Sequence, residues 1–375
     1  MDMSQPIRIL EVVNVMDRAG LETMLMNHYR YMDRSLVQLD FLTHRPVEGA
    51  YDEEICELGG RVFRAPRLYP QNCLAYRRFM RTFFAERSYP VVHSHIDAMS
   101  VFPLAAARSA GVAVRVAHSH NDSVDRDVKY PIKEIARKKL PGIATHYWAC
   151  SEAAGVFLFG KDNRSKLHIV KNAIDLTGFA FDSAARASAR AELGVADGQL
   201  VIGHVGRFSA VKNQTFLVDV LAALASRDVD AVLAFVGDGE LREKTAEKVA
   251  AAGLSPRVRF LGLRDDVSRL MQGFDALVFP SLHEGIPLTL IEAQASGLPV
   301  LASDNVSAEA LVLSSCARMG LGESVDAWAE KICELVGNGR ASGCMAALAA
   351  AGYEINQSAK MLQESYLSLY EEARR

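Results

Sequence analysis

Short runs of apolar, often β-branched residues recur along the chain, among them "IRILEVVNV", "YPVVHSH", "VAVRVAHSH", "THYWACS" and "KLHIVKNA", then "LVIGHVGRF", "AVLAFVGDG", "RVRFLGL", "ALVFPS" and "PVLASD". Each is followed by a stretch with apolar positions at helical spacing. The runs are continuous rather than alternating, which means burial on both faces. The pattern therefore predicts mostly parallel sheets with helices on either side, the doubly wound α/β class.

One seam interrupts the alternation. The segment 169–200 finishes a strand, turns through small and polar residues, and carries a short helix before a new strand begins at Leu200. With a boundary near 178 to 183, the expected organisation is a Rossmann-like unit over 1–180, a second over 181–355, and a closing helix over 356–375 that packs back onto the first. The closing stretch places Ile355, Met361, Leu362, Tyr366, Leu369 and Tyr370 at roughly helical spacing. Two such units are expected to leave a cleft at the carboxyl ends of their strands, where ligands bind in sheets of this kind.

Composition supports the division, since 375 residues exceed one ordinary core of ~150. Half the residues are hydrophobic and the net charge is -3, which describes a soluble globular chain and gives no electrostatic reason to expect a nucleic-acid partner. No basic flank precedes a long apolar run at the start, and no window approaches the ~18 apolar residues of a spanning helix. The expected location is cytoplasmic. The six cysteines are scattered without metal-ligand spacing and read as reduced thiols.

Candidate chemistry concentrates in the second half. In "HEGIPLTLIEAQASGLP" (283–299), Pro287 suits a first helical position, and Gly297 with Pro299 ends the helix. Backbone N–H groups around Gly285, Ile286, Leu288 and Thr289 then form a helix N-terminus that attracts phosphate. Glu284 would reach past the phosphate toward hydroxyl groups, and Glu292 would accept from a vicinal diol such as a ribose. The plainer alternative makes Glu284 a partner of the helix dipole and Glu292 a surface acid. "HVGRFSAVKNQTFLVDVL" (204–221) adds Gly206 at a strand end, with Arg207 and Lys212 on the loop before a helix near Gln214. A fork of donors and a mobile point charge suit a diphosphate leaving group. "VGDGEL" (236–241) lacks the full dinucleotide fingerprint and reads as a strand-to-helix turn. The loop around Gly262 to Arg264 could contact a base through backbone groups.

Together "GRFSAVKN", "VGDGEL", "FLGLRDDV" and "HEGIPLTLIEAQASGLPV" resemble the nucleotide-sugar domain of glycosyltransferase family 4, with its paired glutamates at Glu284 and Glu292. The resemblance extends over nearly the whole chain. It implies a GT-B fold and a retaining, metal-independent hexosyl transfer from a UDP or GDP sugar, with no cofactor beyond that co-substrate. It also implies front-face attack by the acceptor, with the leaving phosphate taking the acceptor's proton. Glu284, His120, Arg207 and Lys212 would be the catalytic set.

In the first half, the loop before Glu22 resembles the family's glycine-rich loop, with Ala19-Gly20 where two glycines are common. "VVHSH" (91–95) and "VAHSHND" (116–122) each place histidines two apart, on one face of a strand. A four-histidine zinc site is one reading, but no carboxylate or cysteine completes an obvious set, which favours no metal and, for His93 and His95, side chains that cap strand ends. The resemblance places His120 beside the donor sugar, with His118 as the alternative register.

"AYRRFMRTFFAERSYP" (75–90) sets Arg77, Arg78 and Arg81 beside Phe79, Phe83 and Phe84, and "RKKLPG" (137–142) adds charge. An interfacial helix has this form, and so does a packed amphipathic helix with a wet face. The former would suit peripheral contact with the inner face of the membrane. "AHSHND" and "HYWACSEAAGVFLFG" are similar to the branch acting in capsule or exopolysaccharide assembly, which implies a glycan or polyprenyl-diphosphate-linked saccharide acceptor. A nucleotide-sugar epimerase of the same fold and a non-catalytic nucleotide or sugar sensor are the alternatives.

Overall fold

The structure, a computed structural model, describes residues 5–121 and 130–375. The first sheet contains β1 (Ile7–Val13), β2 (Val37–Thr43), β3 (Val62–Arg64), β4 (Val91–Ser94), β5 (Val114–Ser119), β6 (His146–Ala149) and β7 (Leu167–Ile169), in the order β3-β2-β1-β4-β5-β6-β7. The second contains β8 (Leu200–Val205), β9 (Ala231–Val236), β10 (Val258–Phe260), β11 (Ala276–Phe279), β12 (Val300–Ser303) and β13 (Cys316–Met319), in the order β10-β9-β8-β11-β12-β13. Every pairing is parallel. This is the two-sheet doubly wound architecture expected from the unbroken apolar runs.

Each sheet is covered on both faces, and each face has its own core. One face of the first sheet packs Met24, Leu25 and Tyr29 with Leu362 and Tyr366, and the other packs Met80, Phe83, Leu104 and Leu158. The second sheet is flanked likewise by Phe274, Leu290 and Ile291 on one side and by Leu217, Leu221 and Trp328 on the other.

The chain divides at Ala173/Ile174 and again at Glu354/Ile355, against the expected seams at 180/181 and 355/356. The last helix, Ile355–Ala373, belongs with the first sheet. Its Asp33-facing side chain Gln363 accepts from the Asp33 N–H at 2.7 Å, and Ser358 meets His28 Nε2 at 2.8 Å. Leu362, Tyr366 and Leu369 are buried, but Met361 is 64% exposed. Adjacent helical positions point about 100° apart, so Met361 and Leu362 cannot both face the sheet.

Strand β2, "VQLDFLT", escapes the apolar pattern because Gln38 and Asp40 interrupt it. Both are buried with partners: Asp40 accepts from Arg8 Nε and from the Tyr89 hydroxyl, each at 2.8 Å, and Gln38 accepts from Tyr29 at 2.5 Å. Among the described residues no helix is long and apolar enough to cross a membrane.

Candidate functional site

Strand order reverses between β1 and β4 in the first sheet and between β8 and β11 in the second. Loops leaving such a switch point spread apart, which opens a crevice for ligand. Arg207 and Lys212 leave β8, and Glu284 leaves β11. Three of the expected donor residues, Arg207, Lys212 and Glu284, therefore stand on the two loops that flank the second reversal.

Those loops are tied together by backbone. The Leu282 N–H donates to Val211 O at 2.7 Å, and Asn213, in the left-handed region at φ 54°, sends its side-chain amide to Pro280 O at 3.2 Å. Lys212 thereby comes to lie 2.6 Å from Glu284 Oε1, with its Nζ 4.5 Å above the Phe279 ring. Both side chains remain 19% exposed. Glu284 is held in turn by the loop after β12: its N–H donates to Asn305 O, and its carbonyl accepts from Ser307 N.

Below this pair lies His204, which the sequence reading did not single out. Its Nδ1 faces Val278 O at 3.0 Å, while its Nε2 is buried without a hydrogen-bond partner among the described residues. Burial pulls its pKa down to about 4. It is thus a neutral ring beneath a cation.

Glycines let three loop backbones close on one another. Gly206 N donates to Val236 O and Gly237 N to Gly262 O, at 2.9 and 2.8 Å. A Cβ on Gly237, whose φ is 130°, would sit 2.2 Å from Gly206 O, and one on Gly239 would sit 2.4 Å from Phe208 O. This accounts for "VGDG": the glycines answer to close backbone approach between neighbouring loops.

Arg207 is largely exposed and pairs with Glu240 at 3.1 Å, an acid that balances it before any ligand arrives. Arg264 is differently placed. Its guanidinium is engaged by Asp266 and Glu192, each at 2.8 Å, so it buttresses the helix Ser183–Leu193, and only its backbone suits the expected contact with a base.

The helix Leu288–Ala295 follows, with Pro287 one position earlier than expected, as an extended cap without a side-chain bond. The first N–H groups of a helix lack intrahelical acceptors, so Leu288 and Thr289 present donors beside Gly285 and Ile286. Glu292 lies one turn further along, and burial raises its pKa to about 7.

In the first unit, Gly20 opens the helix Gly20–Tyr31 with open space around its Cβ position. His93 and His95 do not cap the end of β4; with His118 and His120 they form a strip of rings on one sheet face. His93 Nε2 meets His118 Nδ1 at 3.1 Å, and His95 Nδ1 meets His120 Nε2 at 2.9 Å. The carboxylate missing from the sequence reading is Glu11 of β1, fully buried, with Oε2 2.7 Å from His95 Nε2 and Oε1 accepting from the Tyr366 hydroxyl at 2.6 Å. Tyr366 also meets His93 Nδ1 at 2.8 Å. Nitrogens of His93, His95 and His118 lie within 4.8 Å of one another. In each facing pair one nitrogen donates and the other accepts, so the rings are joined by hydrogen bonds. His120 is half-buried, and Asp97 Oδ1 accepts from its backbone N–H at 3.1 Å.

Comparison with known proteins adds family and fold. Residues 18–177 match the model for Glycosyltransferase Family 4, and residues 199–338 match that for Glycosyl transferases group 1. The chain is 40% identical over 368 residues to EpsF of Bacillus subtilis (strain 168), described provisionally as a glycosyltransferase, and the match covers 96% of each chain. It is 26% identical over 227 residues to the UDP-Gal:alpha-D-GlcNAc-diphosphoundecaprenol alpha-1,3-galactosyltransferase of Escherichia coli, covering 58% of this chain and 59% of the other. Anabaena Alr3699/HepE, solved in complex with UDP and glucose, superposes with a TM-score of 0.80 at 22% identity, covering 96% of this chain and all of that one.

Proposed function

The chain belongs to the glycosyltransferases of group 1 and family 4, with the GT-B fold, and from that premise we propose that it moves a hexosyl group, with retention, from a nucleotide-diphosphate sugar to a saccharide acceptor in surface polysaccharide assembly. The observation that carries the proposal is the Lys212–Glu284 pair, held on two loops at a switch point and beside a helix N-terminus. When a diphosphate enters, Lys212 and the N–H groups of Leu288 and Thr289 turn to its oxygens, with Arg207 closing from the exposed side. Glu284, released from Lys212, accepts from sugar hydroxyls, and Glu292 accepts from the ribose.

As the glycosidic bond breaks, charge grows on the leaving diphosphate, and fixed cations and N–H groups stabilise that charge more than they stabilise the ground state. These groups supply the stabilisation that a divalent cation supplies elsewhere. The acceptor attacks from the face that the diphosphate leaves, and the leaving phosphate takes the acceptor's proton. His120 is assigned to a hydroxyl of bound substrate. UDP is the favoured donor nucleotide, because the structural neighbour and the galactosyltransferase relative both carry it in their descriptions.

The acceptor is proposed to be lipid-linked, again following that relative. A groove of about 830 Å³ between the helices Cys73–Glu86 and Val101–Ser109 supports peripheral membrane contact. Leu74 and Phe102 are exposed there, and Arg77, Arg78 and Arg81 line it.

The test is transfer of radiolabelled sugar from UDP- and GDP-hexoses to a panel of polyprenyl-diphosphate saccharides, with wild type beside Lys212→Ala and Glu284→Gln. Transfer by wild type that both variants lose supports the proposal. Undiminished transfer by both variants removes the donor assignment, and sugar interconversion without acceptor would make the chain an epimerase.

A further inference from the structure

The strip of histidines in the first unit has a definite hydrogen-bond direction, which follows from counting protons. Tyr366 donates its single proton to Glu11 Oε1, so its oxygen must accept from His93 Nδ1–H. A neutral His93 then has a bare Nε2, which must accept from His118 Nδ1–H. His118 Nε2 is left as a bare acceptor, and among the described residues it has no hydrogen-bond partner. With Glu11 ionised, the second branch runs the same way: His95 Nε2–H donates to Glu11 Oε2, and His120 Nε2–H donates to His95 Nδ1. Its outer end, His120 Nδ1, is then a bare acceptor on a half-buried ring.

Both branches point inward to one carboxylate, yet only one of them has an outer end. The first stops at a buried atom, where reversal would leave a donor in place of an acceptor with nothing to meet it. The second can reverse. A proton taken up at His120 Nδ1 lets His120 Nε2–H pass its proton to His95 Nδ1, and His95 Nε2–H pass its proton to Glu11 Oε2. One proton enters, one arrives on the carboxylate, and both rings stay neutral with exchanged tautomers.

We propose that Glu11 is a positioning residue and proton store for His120: its protonation state decides, through His95, whether His120 Nδ1 accepts a hydrogen bond from a substrate hydroxyl or donates one to it. Glu11 is suited to hold either state, because burial pushes its pKa up to about 8 while the Tyr366 hydroxyl pulls it down. The other groups facing the array are neutral or lie at its ends. At the inner end Trp148 of β6 packs edge-on against His93, with His168 of β7 against Trp148, and Asp97 binds the backbone of His120 at the outer end, with Lys133 near Asp97. The proposal rests on the reading of His120 as a substrate-facing residue.

The test uses the full chain labelled with ¹⁵N-histidine, read by multiple-bond ¹H–¹⁵N spectra between pH 6 and 10, without any substrate. His120 is assigned by its loss in His120→Asn. In wild type, His95 and His120 should exchange tautomers together in one transition, with His120 protonated at Nδ1 on the acid side and at Nε2 on the alkaline side. Glu11→Gln should fix His120 as the Nδ1–H tautomer at every pH. Its amide oxygen must take the Tyr366 proton, because the opposite orientation would bury a donor at His118 Nε2, and its NH₂ group then donates to His95.

Should that variant fail to fold, Tyr366→Phe serves instead. It removes a donor to the carboxylate and should move the transition to higher pH by roughly one unit or more. A His120 tautomer that ignores pH in wild type and is unchanged in either variant overturns the proposal. So does stoichiometric zinc in the purified protein with shifted, metal-bound histidine nitrogens. Because the readout does not involve turnover, a chain that shows the transition but transfers no sugar would sink the functional reading and leave the relay standing.

Discussion

Lys212 and Glu284 hold each other at 2.6 Å across the loops that follow β8 and β11. Neither is deeply buried, so the pair contributes little to folding, since exposed ion pairs are worth about 0–1 kcal/mol. On the proposed reading, its value is that each member occupies the other's ligand position until ligand comes. Lys212→Ala should therefore leave urea unfolding within about 1 kcal/mol of wild type while lowering kcat/KM for transfer by roughly 10²–10³-fold. A large stability loss with intact transfer would contradict this.

Glu292 gives a pH signature. Its raised pKa means that it gains a proton as pH falls through about 7, and a protonated carboxyl is a poorer acceptor for a ribose diol. Binding of UDP, measured by calorimetry, should weaken on acidification from pH 8 to 6 more steeply in wild type than in Glu292→Gln. Titration of the nucleotide's own phosphate is common to both, so parallel curves would remove Glu292 from the ribose.

Gly237 tests the loop stitching. An alanine Cβ would meet Gly206 O at 2.2 Å in a positive-φ backbone, so Gly237→Ala should cost roughly 1–3 kcal/mol in urea unfolding. It should also reduce the thermal stabilisation by saturating UDP, which for wild type is ~2.7 kcal/mol at 100 times the dissociation constant. Gly111→Ala, where the added Cβ meets nothing within 4 Å but φ is also positive, separates the clash from the backbone cost.

Acid should unfold the chain early. His28, His95 and His204 are buried and neutral, with pKa values lowered to about 4, 3 and 4, and burial holds His93, His118 and His120 well below the usual range; these six outweigh Glu11, Glu22 and Glu292, so between about pH 6.5 and 4 the unfolded state binds more protons than the folded one. Linkage then requires stability to fall as pH falls through that window. Glu11 and Glu292 act oppositely: their folded pKa values are raised, so they favour the folded state most below about 4.5 and progressively less as pH rises toward 7 or 8. Urea midpoints across pH 4 to 8 should drop most steeply on the acid side, and His204→Gln should flatten part of that drop.

The two parallel-sheet units and the loops carrying Arg207, Lys212 and Glu284 were legible because they depend on local signals: unbroken apolar runs, and glycine, proline and charge at strand ends. Lys212 and Glu284 could each be placed on a loop after a core strand from those signals, but their direct bond could not, because it depends on β8 pairing with β11 and on the register of that pair. Strand β2 was lost to Gln38 and Asp40, whose partners Tyr29, Arg8 and Tyr89 come from other elements. Glu11 was hidden for the converse reason. It stands alone in "IRILEVV", and only the histidines of β4 and the tyrosine of the final helix explain how a carboxylate is accommodated there.

Glu11 and Tyr366 are 355 residues apart in sequence, and between the two parts of the first unit lies the whole of the second, as the uninterrupted segment Ile174–Glu354. During synthesis the second unit therefore has its entire sequence available before the first receives its last helix. Until then, the face formed by Met24, Tyr29 and the histidine strip has no cover, and Glu11 lacks one of its two donors. The half of the protein that is translated first is the half that is finished last.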